Sequence, residues 1–177
     1  ADNAALLWTP SSAGNRKKWT FSTWVKRSNI TESTSGDQYI FSQATGSDNN
    51  DSFLGLIFRG DKLNVTTASV EVLSSNALFR DVSAWYHIVA KVDTTQSTAS
   101  DRFKFYVNGV EQAFTGTILP QNHQANMDAQ IVAFNSSDVM DGYMSEFHFL
   151  DGVAYDPIYF GEFDSNGVWV PIEYTGG

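Results

Sequence analysis

Three histidines, 20 acidic side chains and no cysteine define the chemistry open to this chain of 177 residues. Without cysteine there is no thiol nucleophile, no disulfide framework, no Cys-ligated zinc and no iron–sulfur cluster. His87 and His148 fall inside alternating runs and His123 in a Gln/Asn-rich stretch. Nothing in their spacing brings a Ser and an acid to a histidine, so they read as packed or solvated rings. The acidic residues read as scattered singly. Glu146 has Met144 and His148 at i±2 and reads as a solvated outer-face carboxylate. Asp48-Asn49-Asn50-Asp51 offers oxygen ligands suited to Ca²⁺. It lacks the spacing of a dedicated calcium loop and reads as an acidic hairpin. Arg59-Gly60-Asp61 is an adhesive-type tripeptide, but Gly-Asp is also simply a good turn. Four Asn-x-Ser/Thr sequons, at Asn29, Asn50, Asn64 and Asn135, fit chance in a chain so rich in these residues. No catalytic, cofactor-binding or metal-binding residue is assigned from the sequence, and no cofactor is implied.

The elements that would position such groups are strands. Trp19, Phe21, Thr23 and Val25 alternate with Thr20, Ser22, Trp24 and Lys26. The same period of two runs through Tyr86–Val92, Phe103–Val107 and Tyr143–Phe149. It predicts Tyr86, Ile88, Phe105, Val107, Phe147 and Phe149 in a core, and Tyr143 and Ser145 on the same face as Phe147. Phe53–Phe58 is apolar on both faces and predicts a strand buried on both sides. Asn108-Gly109 and Gly60-Asp61 predict tight hairpins. Thr45–Ser52 and Thr94–Asp101 read as polar loops, and Asn76–Ser83 and Asp156-Pro157 as short turns. No stretch sustains a helical stripe. The reading is one all-β domain over residues 1–177, a two-sheet antiparallel β-sandwich of roughly 10–14 strands.

Eleven Lys+Arg against 20 Asp+Glu give a formal net charge of -9. That argues against binding a phosphate backbone, so no nucleic-acid partner is expected. No run reaches the roughly 18 apolar residues of a membrane helix, and no membrane partner is expected. The start, Ala1-Asp2-Asn3-Ala4-Ala5, has no signal-peptide pattern and no initiator Met, which predicts trimming or excision from a longer chain. Arg16-Lys17-Lys18 with Lys26-Arg27 reads as a dense positive patch. Of the five tryptophans, Trp19 and Trp85 are expected in the core. Trp24 is expected on the opposite face, with Trp8 and Trp169 packed together or against a partner.

Three ordered segments resemble the concanavalin A-like, laminin-G-like jelly-roll superfamily. They are Trp85-Tyr86-His87-Ile88-Val89-Ala90-Lys91-Val92-Asp93, then Phe103–Val110 with its Val107-Asn108-Gly109 hairpin, then Gly142–Phe149 followed by Asp151–Pro157. The resemblance implies a jelly roll. Legume lectins of this superfamily ligate metal where Lys91 and Asp93 stand here, and an ammonium cannot coordinate a cation. Its retaining glucanases carry a Glu-x-Asp-x-x-Glu strand that sets acid and nucleophile about 5–5.5 Å apart. That strand is missing here, so the expectation is no enzyme. Thr9–Arg27 and Asp151–Pro171 further resemble lectin-like modules of virion proteins from tailed, largely marine, bacteriophages. This implies a virion location and a capsid decoration, head fibre or tail-fibre module, homo-oligomeric on the particle. Other virion proteins and host surface glycans are the implied partners. The alternatives are a glycan-active hydrolase and a secreted bacterial adhesion module.

Overall fold

A computed structural model describes residues 7–11, 14–30, 37–44, 55–67, 70–125, 130–132 and 140–176. The strands, in chain order, are β1 (Leu7–Trp8), β2 (Lys18–Arg27), β3 (Asp37–Ala44), β4 (Gly55–Arg59), β5 (Lys62–Thr67), β6 (Val70–Ser75) and β7 (Tyr86–Asp93). They continue as β8 (Phe103–Val107), β9 (Val110–Glu111), β10 (Phe114–Gly116), β11 (Gln130–Val132), β12 (Gly142–Asp151), β13 (Gly161–Phe163) and β14 (Trp169–Pro171). The only helical elements among the described residues are single 3-10 turns at Ala99–Asp101 and Pro157–Tyr159. A seven-stranded sheet, β1-β11-β3-β4-β5-β6-β10, faces a five-stranded sheet, β12-β2-β7-β8-β9, and β13-β14 forms a separate hairpin. All pairs are antiparallel. This is the expected two-sheet antiparallel sandwich.

Between the sheets, the alternation holds. Trp19, Phe21 and Val25 of β2 are buried in the same cluster as Ile88, Ala90 and Val92 of β7 and Phe103, Phe105 and Val107 of β8. Tyr86, Phe147 and Phe149 pack against that cluster, so the six core assignments stand. Aromatic rings join the layers. Phe41 of β3 lies 4.8 Å from Phe21 and 5.7 Å from Phe149, ring centre to ring centre. Of Phe53–Phe58, Phe53 and Leu54 lie outside the described residues, and Gly55–Phe58 is buried on both faces, as its composition requires. Both hairpins form: Asn108 and Gly109 take φ of 49° and 77° between the paired Val107 and Val110. Gly60, at φ 58°, turns between the paired Arg59 and Lys62.

Three expectations fail for physical reasons. In β12 the pairing with β2 shifts between Ser145 and His148, where Glu146 adopts φ 50°. This bulge sets two residues against one and reverses the phase of everything before it. Met144 therefore packs on the core beside Phe147 and Phe149, while Tyr143 and Ser145 are exposed on the opposite face. Trp85 sits one residue before β7 and is 41% exposed, not core. The basic patch is dispersed. Lys18 and Lys26 stand at opposite ends of a ten-residue strand, about 26 Å apart at roughly 3.3 Å per residue. Lys18 pairs with Asp93 at 3.1 Å. Arg27 is only 1% exposed. Its guanidinium donates to Gln38 Oε1 and to the carbonyls of Phe79 and Gly60, and it lies over the Phe58 ring at 4.5 Å. Burial lowers its pKa, partly offset by the Asp61 charge.

Phe105 is 1% exposed and forms an edge-on pair with Phe103. Phe105→Ala is expected to cost about 3–5 kcal/mol in urea unfolding. A loss below about 1 kcal/mol would contradict the burial.

Candidate functional site

Most of the chemically suggestive residues are engaged in holding the fold. Arg59 grips Asp37 through two bonds of 2.7 and 2.8 Å, and Asp61 pairs with Arg80, so Arg59-Gly60-Asp61 is tied internally. Asn64 is 1% exposed and cannot be an outward glycan acceptor. Asn29 donates to Asp141. Asn50, Asn135 and the Asp48–Asp51 loop lie outside the described residues. Lys91 pairs with Asp156 at 2.7 Å. Burial raises the pKa of Asp93. Hydrogen bonds from Thr95 and Gln96 and the Lys18 ammonium more than offset that, lowering it to about 2. Lys91 and Asp93 thus do not form a metal pair. Among the described residues no cluster of acidic and histidine side chains could hold a metal.

Glu146 is exposed and meets His148 at 3.5 Å. The reading of singly scattered carboxylates overlooks one Glu-x-Asp, at Glu162-Phe163-Asp164 in the β13 region. Asp164 accepts from the backbone of Val168 and Asn166, closing the β13–β14 turn, and Gly167 stands where a third carboxylate would be needed. His123 sits in the 117–125 connection, where its carbonyl accepts from Thr94 Oγ1 at 2.7 Å.

The outer face of the five-stranded sheet has a second layer. The chain after β12 crosses it, anchored by Thr20 Oγ1, which donates to the Val153 carbonyl and accepts from the Tyr155 amide, both at 2.8 Å. Phe160 packs with Val89 and Tyr106, flanked by Leu150, Tyr155 and Tyr174. At the centre is His87, 1% exposed. Trp169 Nε1 donates to His87 Nδ1 at 2.9 Å. An indole nitrogen can only donate, so Nδ1 is the acceptor and the proton resides on Nε2. Nε2 therefore donates to Ser22 Oγ, 2.9 Å away. His87 cannot act as a base toward Ser22 in this tautomer, which removes the one Ser–His hydrogen bond among the described residues as a nucleophilic dyad. The ring stacks on Trp24 at 4.9 Å and runs near-parallel to Trp169 at 5.9 Å. Trp169 thus packs against the five-stranded sheet rather than with Trp8. It also lies over Gly109 and Gly161, where an added Cβ would come within 2.4 and 2.6 Å of its ring.

Beyond this cover, one strip stays open. Cross-strand pairing sets Tyr143 of β12 opposite Lys26 of β2. Val25 pairs with Tyr86, which places Trp85 at the next step, beside Lys26. Tyr143 is 62% and Trp85 41% exposed. The next row is Ser145, Trp24 and His87. Trp24 Nε1 there is buried without a hydrogen-bond partner among the described residues. Lys26 is half-buried and makes no salt bridge among the described residues. Its charge is felt at Asp81, whose carboxylate accepts from the amide and hydroxyl of Ser83. Two aromatic surfaces flanking a cation can receive a ligand with apolar faces and polar edges.

The family model described as the concanavalin A-like lectin/glucanases superfamily matches residues 2–155. No curated protein matches the chain. Among solved structures, a Trypanosoma rangeli sialidase in complex with difluorosialic acid aligns at TM-score 0.56 and 12% identity, covering 80% of this chain and 21% of that one. The binding domain of Paraclostridial Mosquitocidal Protein 1 aligns at TM-score 0.55 and 11% identity, covering 88% and 39%. The botulinum neurotoxin serotype G binding domain aligns at TM-score 0.58 and 12% identity, covering 89% and 39%. The chain spans well under half of each of these, and the likeness shows the fold.

Burial, with a smaller contribution from His148, lowers the His87 pKa from 6.5 to about 4. Between those values the unfolded chain binds a proton that the folded chain refuses. Stability therefore falls as pH drops from about 6.5 toward 4, by at most about 3 kcal/mol. His87→Gln is expected to flatten that part of the pH–stability curve, read from chemical denaturation at pH 4.5 and 7.5. An unchanged slope would contradict the neutral, buried ring.

Proposed function

The chain belongs to the concanavalin A-like lectin/glucanase superfamily, and from that premise we propose that it is a carbohydrate-binding module without hydrolytic activity, carried on the surface of a bacteriophage particle. The observation that carries the carbohydrate part is the open strip Tyr143–Lys26–Trp85 on a sheet face that a second layer covers in part. Pyranose rings present a face of C–H groups that stacks on aromatic rings, while their hydroxyls meet polar neighbours. The solved structures of similar fold lend support, since one is described as holding difluorosialic acid. Another is a botulinum neurotoxin binding domain described as a complex with SialylT.

The absence of turnover rests on the carboxylates. Glu146 has a histidine beside it rather than a second acid, and Asp164 is committed to a turn. Neither arrangement is the flanking pair that glycoside hydrolysis needs. Incubation with β-glucans and algal galactans is expected to release no reducing ends. Release that disappears in Glu146→Gln would make Glu146 catalytic and overturn this part.

The virion part rests on the Thr9–Arg27 and Asp151–Pro171 resemblance and on where the second stretch lies. Its inner side covers the sheet, while Ile158, Phe163 and Val168 are 68%, 54% and 56% exposed. Apolar side chains on the outside of a cover layer suit a docking interface, which buries about 1,200–2,000 Å² when specific. Particles lacking this protein are expected to take up the purified wild type and to take up Phe163→Asp/Val168→Asp far less. A wild type that never associates with particles would end the virion reading.

A further inference from the structure

Resting on the carbohydrate-binding reading above, we propose that the strip Tyr143–Lys26–Trp85 is the sugar site and that it selects glycans bearing an anionic group, a carboxylate or a sulfate. The argument begins with charge. The chain carries -9, so at long range it repels anions. Its other strand lysines on the five-stranded sheet are neutralised: Lys18 by Asp93, Lys91 by Asp156, and Lys104 by Asp101 and Glu111. Lys26 is different. It shares the sheet with those three but forms no salt bridge among the described residues; the Asp81 carboxylate feels its charge without closing on it. Its stem is half-buried, with Tyr143 beside it on one strand and Trp85 at the next step on the other side. Adjacent strands lie about 4.8 Å apart, so the two aromatic positions sit about 10 Å apart with the Lys26 position between them.

This geometry divides the recognition. The rings supply contact area at low entropic cost and discriminate little between sugars. The ammonium supplies a charge-assisted hydrogen bond, which discriminates strongly between a carboxylate or sulfate and a hydroxyl. Partial burial of Lys26 strengthens that bond relative to one in bulk water. A neutral glycan would leave the ammonium with no more than it has in solvent.

The test is calorimetry with four probes: 3′-sialyllactose, lactose, a sulfated galactan oligosaccharide and the same oligosaccharide desulfated. The wild type is expected to bind at least one anionic probe about tenfold or more tightly than its neutral parent. Which anionic arm binds tells carboxylate from sulfate. Lys26→Gln is expected to remove that difference while sparing the neutral affinity. Tyr143→Ala and Trp85→Ala are expected to weaken all binding by tenfold or more. All three side chains lie outside the core, and melting temperatures check the fold of each variant. As a measurement that needs no variant, the indole N–H resonance of Trp85 is expected to shift on titrating the wild type with the tightest probe. Glycan binding that leaves Trp85 unmoved, ignores all three substitutions, or does not distinguish charged from neutral probes overturns this inference and leaves the carbohydrate reading standing. A wild type that binds none of the four removes the carbohydrate reading, and this inference with it.

Discussion

A single neutral imidazole fixes how the outer face of the five-stranded sheet is divided. His87 receives the indole proton of Trp169 on Nδ1 and donates its own from Nε2 to Ser22. Both nitrogens are satisfied, so the ring can be buried without a desolvated charge. Because Trp169 lies on β14, that bond draws the terminal hairpin onto the sheet. The glycines at 109 and 161 leave the space its ring occupies. Phe160, Tyr155 and Tyr174 extend the cover over Val89 and Tyr106. The cover ends near Trp24, and what lies beyond it, Tyr143, Lys26 and Trp85, is left to solvent. The placement of the open strip is thus a consequence of where Trp169 is held.

The sandwich itself was legible because its cause is local. A period of two separates faces whatever the partner, and Trp19, Phe21 and Val25 went where alternation sends them. Asn108-Gly109 was legible for the same reason, since its backbone demands are met within two residues. Arg27 was not. An arginine adjoining Lys26 reads as surface charge. Its burial is decided by carbonyls from Gly60 and Phe79 and by the face of Phe58, all more than 30 positions away. Trp85 failed in the opposite direction. Its family-like context suggested core, but it precedes the strand proper and extends the outward row of His87.

Of the candidate site, the residue types were visible and their assembly was not. Alternation puts Trp24 on the face opposite Phe21, yet nothing in the sequence named Trp169 as the cover or His87 as its anchor. The spacing between His87 and Trp169 is 82 residues. No local pattern carries a contact of that range. The histidine nevertheless had a signature worth reading: it stands in strand phase with Val89 and opposite Trp24, where an uncovered sheet face has little use for two large rings.

The open strip also depends on a feature that alternation conceals. Without the bulge, Tyr143 would share the face of Phe147 and point between the sheets, where Met144 now packs. The extra residue reverses that phase, sending the tyrosine out to Lys26. The left-handed conformation needed at the bulge falls on Glu146, not on glycine, and a non-glycine residue held there costs of order 1–3 kcal/mol. A glycine would ease that strain. Glu146 instead keeps a carboxylate at the bulge, 3.5 Å from His148, whose ring packs 5.6 Å from Phe160 of the cover layer and 5.5 Å from Tyr174. The bulge that turns Tyr143 outward is therefore braced by the same layer that leaves the strip uncovered. Strip and cover are two results of one packing arrangement, which is why neither could be read from its own segment alone.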